Sequence, residues 1–427
     1  MKIEEIYSCF LQCSATSTDT RKIEENSLFI ALKGDNFDAN TFAEEAIIKG
    51  ARFVIIDNRN YFSNKEKMIL VKNSLETLQE LAKYHRQQLG LPIIALTGSN
   101  GKTTTKELIQ VVLSKKYNTV ATIGNLNNHI GVPLTLLRLQ NDTDIGIIEM
   151  GANHQKEIEF LCNIALPDYG YITNFGKAHL EGFGGVDGVI KGKSEMYTFL
   201  RNQNKTVFIN LDDDLQVLHS KDIANYSFSH NKQSNVVVKS VSADPMVKID
   251  VDDIDIQSHL IGLYNANNIN AAITIGKYFN VSTADIKDAI ENYIPQNNRS
   301  QLIEKNSNKI ILDAYNANPS SMLAAIDNFK QLQNSHKIAV LGDMFELGDE
   351  SKSEHLKIVT SLQNQTEIEV HFVGSHFFEN KIDSKTRYFY KSFEDFATFL
   401  QSHKIANSTI LIKGSRGIAL ERSLEFI

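Results

Sequence analysis

The stretch Ile93-Ile94-Ala95-Leu96-Thr97-Gly98-Ser99-Asn100-Gly101-Lys102-Thr103-Thr104 decides the reading of the fold. An apolar, strand-like run breaks into small and hydroxylated residues and then into a helical pattern over Lys102–Lys116. A phosphate-binding loop needs that order. Small residues let backbone N–H groups turn toward phosphate oxygens, a lysine meets the outer phosphates, and a hydroxyl holds Mg²⁺. Gly98, Gly101, Lys102 and Thr103 supply these parts, with Ser99, Asn100 and Thr104 completing the loop. The strict Walker pattern wants a glycine where Leu96 stands, so this is a shortened variant. A plain strand-to-helix turn that happens to contain Gly-Lys-Thr is the bland alternative.

Outward from the loop, strands and helices alternate. Before it, Leu28–Leu32 and Arg52–Ile56 read as strands and Thr41–Lys49 and Ser74–Leu89 as helices, a small α/β unit that ends at the Gly90-Leu91-Pro92 break. After it come a strand (Asp144–Met150), a helix (Gln155–Cys162), a strand (Tyr169–Asn174), a helix (Val189–Arg201) and a strand (Thr206–Asn210). Such alternation predicts a parallel sheet covered on both faces. The polar stretch Pro295–Gln301 reads as a linker. Beyond it the alternation restarts with strands at Lys309–Asp313, Lys337–Gly342, Ile368–Gly374 and Ser408–Lys413, between helices starting near Ser320, Ser351 and Phe393. This is a second open sheet of doubly wound character. The expected fold class is α/β with three domains: a small N-terminal α/β domain (1–90), a central parallel-sheet, P-loop ATPase-like domain (91–298) and a C-terminal Rossmann-like doubly wound domain (299–427).

Bulk properties agree, because 427 residues exceed one comfortable core and fit about three domains. A composition of 42% hydrophobic and 22% charged residues is that of an ordinary globular protein. A net charge of −7 argues against nucleic acid as the main partner. Cys9, Cys13 and Cys162 cannot build a disulfide framework and suit a reducing compartment. No apolar run approaches the roughly 18 residues that span a bilayer, and Glu4 and Glu5 stand where a signal peptide would be basic. The expectation is a cytoplasmic monomer acting on small molecules, without nucleic-acid or membrane partners.

Ligands of open α/β sheets collect at the carboxyl ends of strands. There lie Glu149, His154, Asn174 and His179. Glu149 ends the run Ile145-Gly146-Ile147-Ile148, where a carboxylate can reach Mg²⁺ held by Thr103, or can serve only as a helix-cap partner. A lone histidine such as His179 is more often a satisfied structural side chain than a metal ligand.

The loop, Gly124–Thr135, Glu149-Met150-Gly151-Ala152, Asn174–Gly184 and Lys193-Ser194-Glu195 together resemble the Mur ligases of peptidoglycan synthesis. Asp313-Ala314-Tyr315-Asn316-Ala317-Asn318-Pro319-Ser320, Leu341–Gly348 and Lys413-Gly414-Ser415-Arg416-Gly417 resemble the D-alanyl-D-alanine-adding branch of that family. Asp19-Thr20-Arg21, Leu28–Gly34 and Gly50-Ala51 are similar to its uridine-nucleotide-recognising domain, so the resemblance covers nearly the whole chain. It implies ATP on the central loop, contacted also by Asn265, Asn268, Arg299 and Asp313. It implies Mg²⁺ held by Thr103 and Glu149, a second Mg²⁺ on His179, and a carbamylated Lys193 as a further anionic ligand. Lys102 would act on the outer phosphates, and Lys193 otherwise reads as a solvated helix-face lysine and Asp313 as a turn cap. UDP-N-acetylmuramoyl-tripeptide and D-alanyl-D-alanine are the implied substrates. Thr20, Arg21, Asn125, Asn127, Asn128, Asn316, Asn318, Lys413 and Ser415 are the implied contacts to them. The implied reaction is amide ligation through an acyl phosphate, with domains closing over ATP.

Departures from the family pattern are Ala39 within Asp38-Ala39-Asn40 and Lys156 before Glu157-Ile158, each in place of glycine, and Tyr264 in place of histidine. The competing readings are a folylpolyglutamate synthase, the preceding diamino-acid-adding ligase, or a GTPase-like switch. Asn316-Ala317-Asn318-Pro319 speaks against the ligases, and the missing Asn-Lys-x-Asp signature against the switch.

Overall fold

Ile93–Thr97 is buried along its whole length, as the middle strand of a sheet covered on both faces must be. In the computed structural model, which describes residues 1–427 except 253, 297, 334 and 335, it pairs in parallel with Ile145–Glu149 on one side and Tyr169–Ile172 on the other. Side-chain parity divides the core. Ile94 and Leu96 join Leu108, Ile109 and Val112 of the helix Lys102–Leu113 on one face. Ile93 and Ala95 face Ile158, Leu161, Met196 and Leu200, from the helices Glu157–Ala165 and Val186–Asn202, on the other.

The central sheet has nine strands, more than the alternation suggested. Its parallel part continues through Thr206–Asn210 and Ala224–Ser229 into an antiparallel meander of Val236–Ala243, Met246–Val251 and Ile254–Ile261. The meander obeys the two-residue period: Val247, Ile249 and Val251 are buried, as are Ile254, Ile256 and Leu260. The N-terminal sheet pairs Thr16–Ser17, Leu28–Ile30, Phe53–Ile56 and Met68–Leu70 in parallel. The third sheet has six strands, and all its pairings are parallel except that of the edge strand Gln301–Lys305 with Asn308–Asp313. Of the stretch Pro295–Gln301, Asn297 lies outside the described residues. No helix among the described residues is long and apolar enough to cross a membrane.

The departures have local explanations. Lys156 has φ +73, a conformation that suits glycine, and caps the helix Glu157–Ala165. Its N–H donates to Glu195 Oε1 at 2.6 Å, which helps to hold it there. Ala39 is buried against the first sheet, while Asn40 ties Asp38 to Asp57.

The helix Ser74–Leu89, ended by Gly90 at φ +65, leans on the central domain rather than on its own sheet alone. Buried Arg86 pairs with Asp168 at 2.7 Å and donates to the Ala165 and Leu166 carbonyls at 3.2 Å. Asp168 also accepts from Ile93 N at 3.0 Å and Lys205 Nζ at 2.7 Å. Losing Arg86 would take the donor from those carbonyls and one of two cations from Asp168, which would keep Lys205 and Ile93 N. Arg86→Ala is expected to lower the unfolding free energy by about 2–4 kcal/mol in chemical denaturation. A loss below about 1 kcal/mol would mean that apolar packing alone holds this helix.

Candidate active site

The phosphate loop is shaped by sterics and by its neighbours. Gly98 has φ +142, and a Cβ there would lie 1.9 Å from Thr173 Oγ1. Gly101 has φ +79, and a Cβ would lie 2.6 Å from Asn268 Oδ1. Neither position accepts a side chain. Asn100 between them is held from two directions. Its N–H donates to Asn174 Oδ1 at 3.1 Å, and its carbonyl accepts from Thr173 Oγ1 at 2.6 Å and Asn174 Nδ2 at 3.0 Å. Its side-chain oxygen accepts from Asn318 Nδ2 at 2.7 Å. Ser99 Oγ donates to the Gly176 carbonyl at 2.6 Å. The helix that follows has no side-chain cap, and Gly101, Lys102, Thr103 and Thr104 line a cavity of about 760 Å³. A helix N-terminus open to a cavity is an anion site. Lys102 Nζ folds back onto the Gly98 and Ser99 carbonyls at 2.7 and 3.3 Å, and burial lowers its pKa.

Glu149, at the end of its strand, is buried beside the loop. Its Oε1 accepts from Asn127 Nδ2 at 2.8 Å and from Thr103 Oγ1 at 3.3 Å. Its Oε2 is buried with no hydrogen-bond partner. An unpartnered buried carboxylate oxygen is costly unless a cation meets it, so the Thr103–Glu149 pair fits Mg²⁺. His179 also lines the cavity, at φ +53, with Nδ1 on Glu346 of the third sheet's domain.

Lys193 is no solvated helix-face residue. It is fully buried behind the cavity wall, with Nζ donating to the Ala152 carbonyl at 3.1 Å and lying 4.9 Å from the centre of the Phe183 ring. Burial, then the charge of Lys102, holds its pKa well below the ordinary lysine value.

The opposite wall comes from the third sheet's domain. Asp313 and Lys413 end neighbouring parallel strands and pair at 2.5 Å. Asp313 Oδ1 also accepts from Ser300 N at 3.2 Å. Arg299 lies 3.8 Å from the centre of the Tyr315 ring, and both line the cavity. Asn268 accepts from Thr105 Oγ1 and donates to Asn265 Oδ1, which fastens Asn265 and Asn268 beneath the loop. Tyr264 reaches Ser300 Oγ at 2.9 Å. Asn318 caps the helix Pro319–Gln331 through Ser321 N while its amide holds Asn100.

Other expected residues lie differently. Asn125, Asn127, Asn128 and Asn316 line the cavity, although Asn128 spends its side-chain oxygen on Ile130 N and Gly131 N. Ser415 is not part of the lining. It braces the neighbouring loop, accepting from Phe345 N at 3.0 Å and donating to the Ala317 carbonyl at 3.3 Å. Thr20 and Arg21 lie away in the N-terminal domain, where exposed Arg21 pairs with Asp19. Contacts that sequence reasoning missed join the two walls: Ser320 Oγ accepts from Lys177 N, and Lys177 Nζ pairs with Glu354, each at 2.8 Å. Ser320 and Glu346 stood inside recognised motifs, but no spacing rule points either at its partner.

A curated relative from Buchnera aphidicola subsp. Baizongia pistaciae (strain Bp), a UDP-N-acetylmuramoyl-tripeptide–D-alanyl-D-alanine ligase, is 34% identical over 448 residues, covering 100% of this chain and 97% of the relative. The fold is similar to a crystal structure of MurF from Acinetobacter baumannii, with a TM-score of 0.86, 30% identity, and 99% and 98% of the two chains covered. It is similar also to the MurF ligase of Thermotoga maritima in complex with ADP, with a TM-score of 0.84, 27% identity, and 98% and 97% covered. With the Mur ligase middle domain matched over residues 96–276 and the Mur ligase glutamate ligase domain over residues 298–416, this chain belongs to the Mur ligase family.

Proposed function

We infer that this chain is an ATP-dependent, ADP-forming amide ligase that joins D-alanyl-D-alanine to UDP-N-acetylmuramoyl-tripeptide in peptidoglycan precursor synthesis. The observation that carries the reading is one cavity with the phosphate loop on one wall and Asp313, Asn318 and Lys413 on the other. The N-terminal domain, ending near residue 90, recognises the uridine nucleotide through Thr20 and Arg21. The central domain binds ATP, and the domain beginning near 299 brings the dipeptide. The enzyme works as a cytoplasmic monomer.

The backbone N–H groups of Gly101–Thr104 and the ammonium of Lys102 bind the outer phosphates, with Arg299 and Asp313 holding the nucleotide from the far wall. Thr103 and Glu149 would hold one Mg²⁺ and His179 a second, and the ions would supply charge neutralisation for phosphoryl transfer. An oxygen of the tripeptide's free carboxylate attacks the γ-phosphorus and the bond to ADP breaks, giving an acyl phosphate. The dipeptide amine then attacks the acyl carbon, loses a proton and expels phosphate through a tetrahedral intermediate. Asn316, Asn318 and Lys413 orient the amine component, and Asn125, Asn127 and Asn128 the acceptor. Preorganised charge is the main requirement, because this chemistry leaves the protein little covalent work. Shared walls also keep water from the acyl phosphate.

Lys193 has the environment that carbamylation requires. A neutral amine adds CO₂, forming an N–C bond and releasing a proton, and the neutral side chain becomes an anion able to ligate metal. Burial shifts Lys193 toward the neutral amine.

ADP release should require Mg²⁺, the tripeptide nucleotide and D-alanyl-D-alanine together. Equal turnover with single D-alanine or with glutamate would remove the branch assignment. Lys193→Ala should lose at least about a hundredfold in kcat while keeping wild-type circular dichroism, with partial recovery in short carboxylic acids. Wild-type-like activity in that variant would remove the carbamate.

A further inference from the structure

His179 and Glu346 face each other across the seam between the central and third domains, and both have left-handed backbone, at φ +53 and +61. Non-glycine residues rarely adopt that conformation, and strain of this kind persists where the surroundings impose it. Here the imposing contacts are visible. Glu181 N donates to the Glu346 carbonyl at 3.2 Å, a main-chain bond across the seam. The loop that carries Glu346 is braced along its length. Met344 N donates to His355 Nε2, Phe345 N to Ser415 Oγ, and Ser415 N to the Asp343 carbonyl, each at 3.0 Å. Asp343 is itself fixed by accepting from His376 N and Phe377 N at 2.9 Å. The Leu341–Gly348 motif therefore builds a rigid arm with Glu346 near its tip.

That arm ends on Nδ1 of His179. Glu346 is about half exposed, and an ion pair so solvated adds little stability. Its geometric consequence is larger. A carboxylate accepts the Nδ1 hydrogen, fixes the tautomer and the ring plane, and leaves Nε2 as the nitrogen for a metal. We propose that Glu346 is a positioning residue supplied by the third domain, which fixes His179 for metal binding only when that domain is docked on the central one. Docking thereby completes the metal site, so ATP held by an undocked enzyme is not spent on water. The proposal rests on the ligase reading above only for the identity of the reaction.

The test is a Mn²⁺ titration followed by electron paramagnetic resonance. It uses the full chain saturated with a non-hydrolysable ATP analogue, and His179→Ala defines the sites that depend on His179. Glu346→Ala should raise the Mn²⁺ dissociation constant of those sites about 10–100-fold, with its thermal midpoint unchanged. Glu346→Gln, which keeps an acceptor oxygen, should recover most of that affinity. The apparent Mg²⁺ requirement for ADP release should shift in the same order. Mn²⁺ affinity within twofold of wild type in Glu346→Ala would overturn the proposal. So would a His179→Ala variant that binds Mn²⁺ as wild type does. The titration needs no turnover, so its outcome is separate from the amine dependence that tests the ligase reading.

Discussion

A loop that offers its backbone N–H groups to phosphate cannot use the same groups to fold itself, so its shape has to come from outside. Asn100 is where that constraint is met. Thr173 and Asn174 hold its backbone from the next strand's end, and Asn318 holds its side chain from the far wall. Each such neutral hydrogen bond contributes about 1 kcal/mol, enough together to bias a short loop without locking it. Gly98 and Gly101 are the steric half of the same constraint, since their backbone runs against Thr173 and Asn268. The phosphate loop is thus shaped partly by a domain that does not contain it.

The seam between the walls is largely polar where it meets the site. Asn100–Asn318, Lys177–Ser320, Lys177–Glu354 and His179–Glu346 are hydrogen bonds and ion pairs, and all but Lys177–Glu354 are cheap to break in water. Such contacts suit an enzyme that must admit a long nucleotide-linked peptide, close over a reactive acyl phosphate and then release product. Glu354 differs from the rest because it is nearly buried, and Lys177 and Lys357 keep its carboxyl below the usual range despite that burial.

Much of the fold could be read because parallel strands are apolar runs with breakers at both ends. Thr206–Asn210, Lys337–Gly342 and the helix Ser74–Leu89 lie where the pattern put them. The meander at Val236–Ile261 does not follow from βα alternation, although Met246–Val251 and Ile254–Ile261 keep the two-residue period of half-buried strands. Within the site, the placement of the loop and of Glu149 beside one cavity was legible because both stand at short, fixed offsets from a strand end. Asn318 on Asn100 and Glu346 on His179 were not, because nothing in chain spacing encodes which side chains meet across a domain seam. Ser415 shows the same limit from the other side: a residue inside a recognised motif serves as a brace beside the cavity rather than as part of its wall.

In the proposed reading the loop, Lys102 and Glu149 serve phosphoryl transfer to a carboxylate, and oxygen tracing tests that step directly. The tripeptide nucleotide carrying ¹⁸O in its free carboxylate would be turned over with ATP and D-alanyl-D-alanine, and the released phosphate weighed by mass spectrometry. An acyl phosphate requires one carboxylate oxygen to leave with the phosphate, so the label should appear there once per amide formed. Unlabelled phosphate accompanying full amide formation would contradict the account.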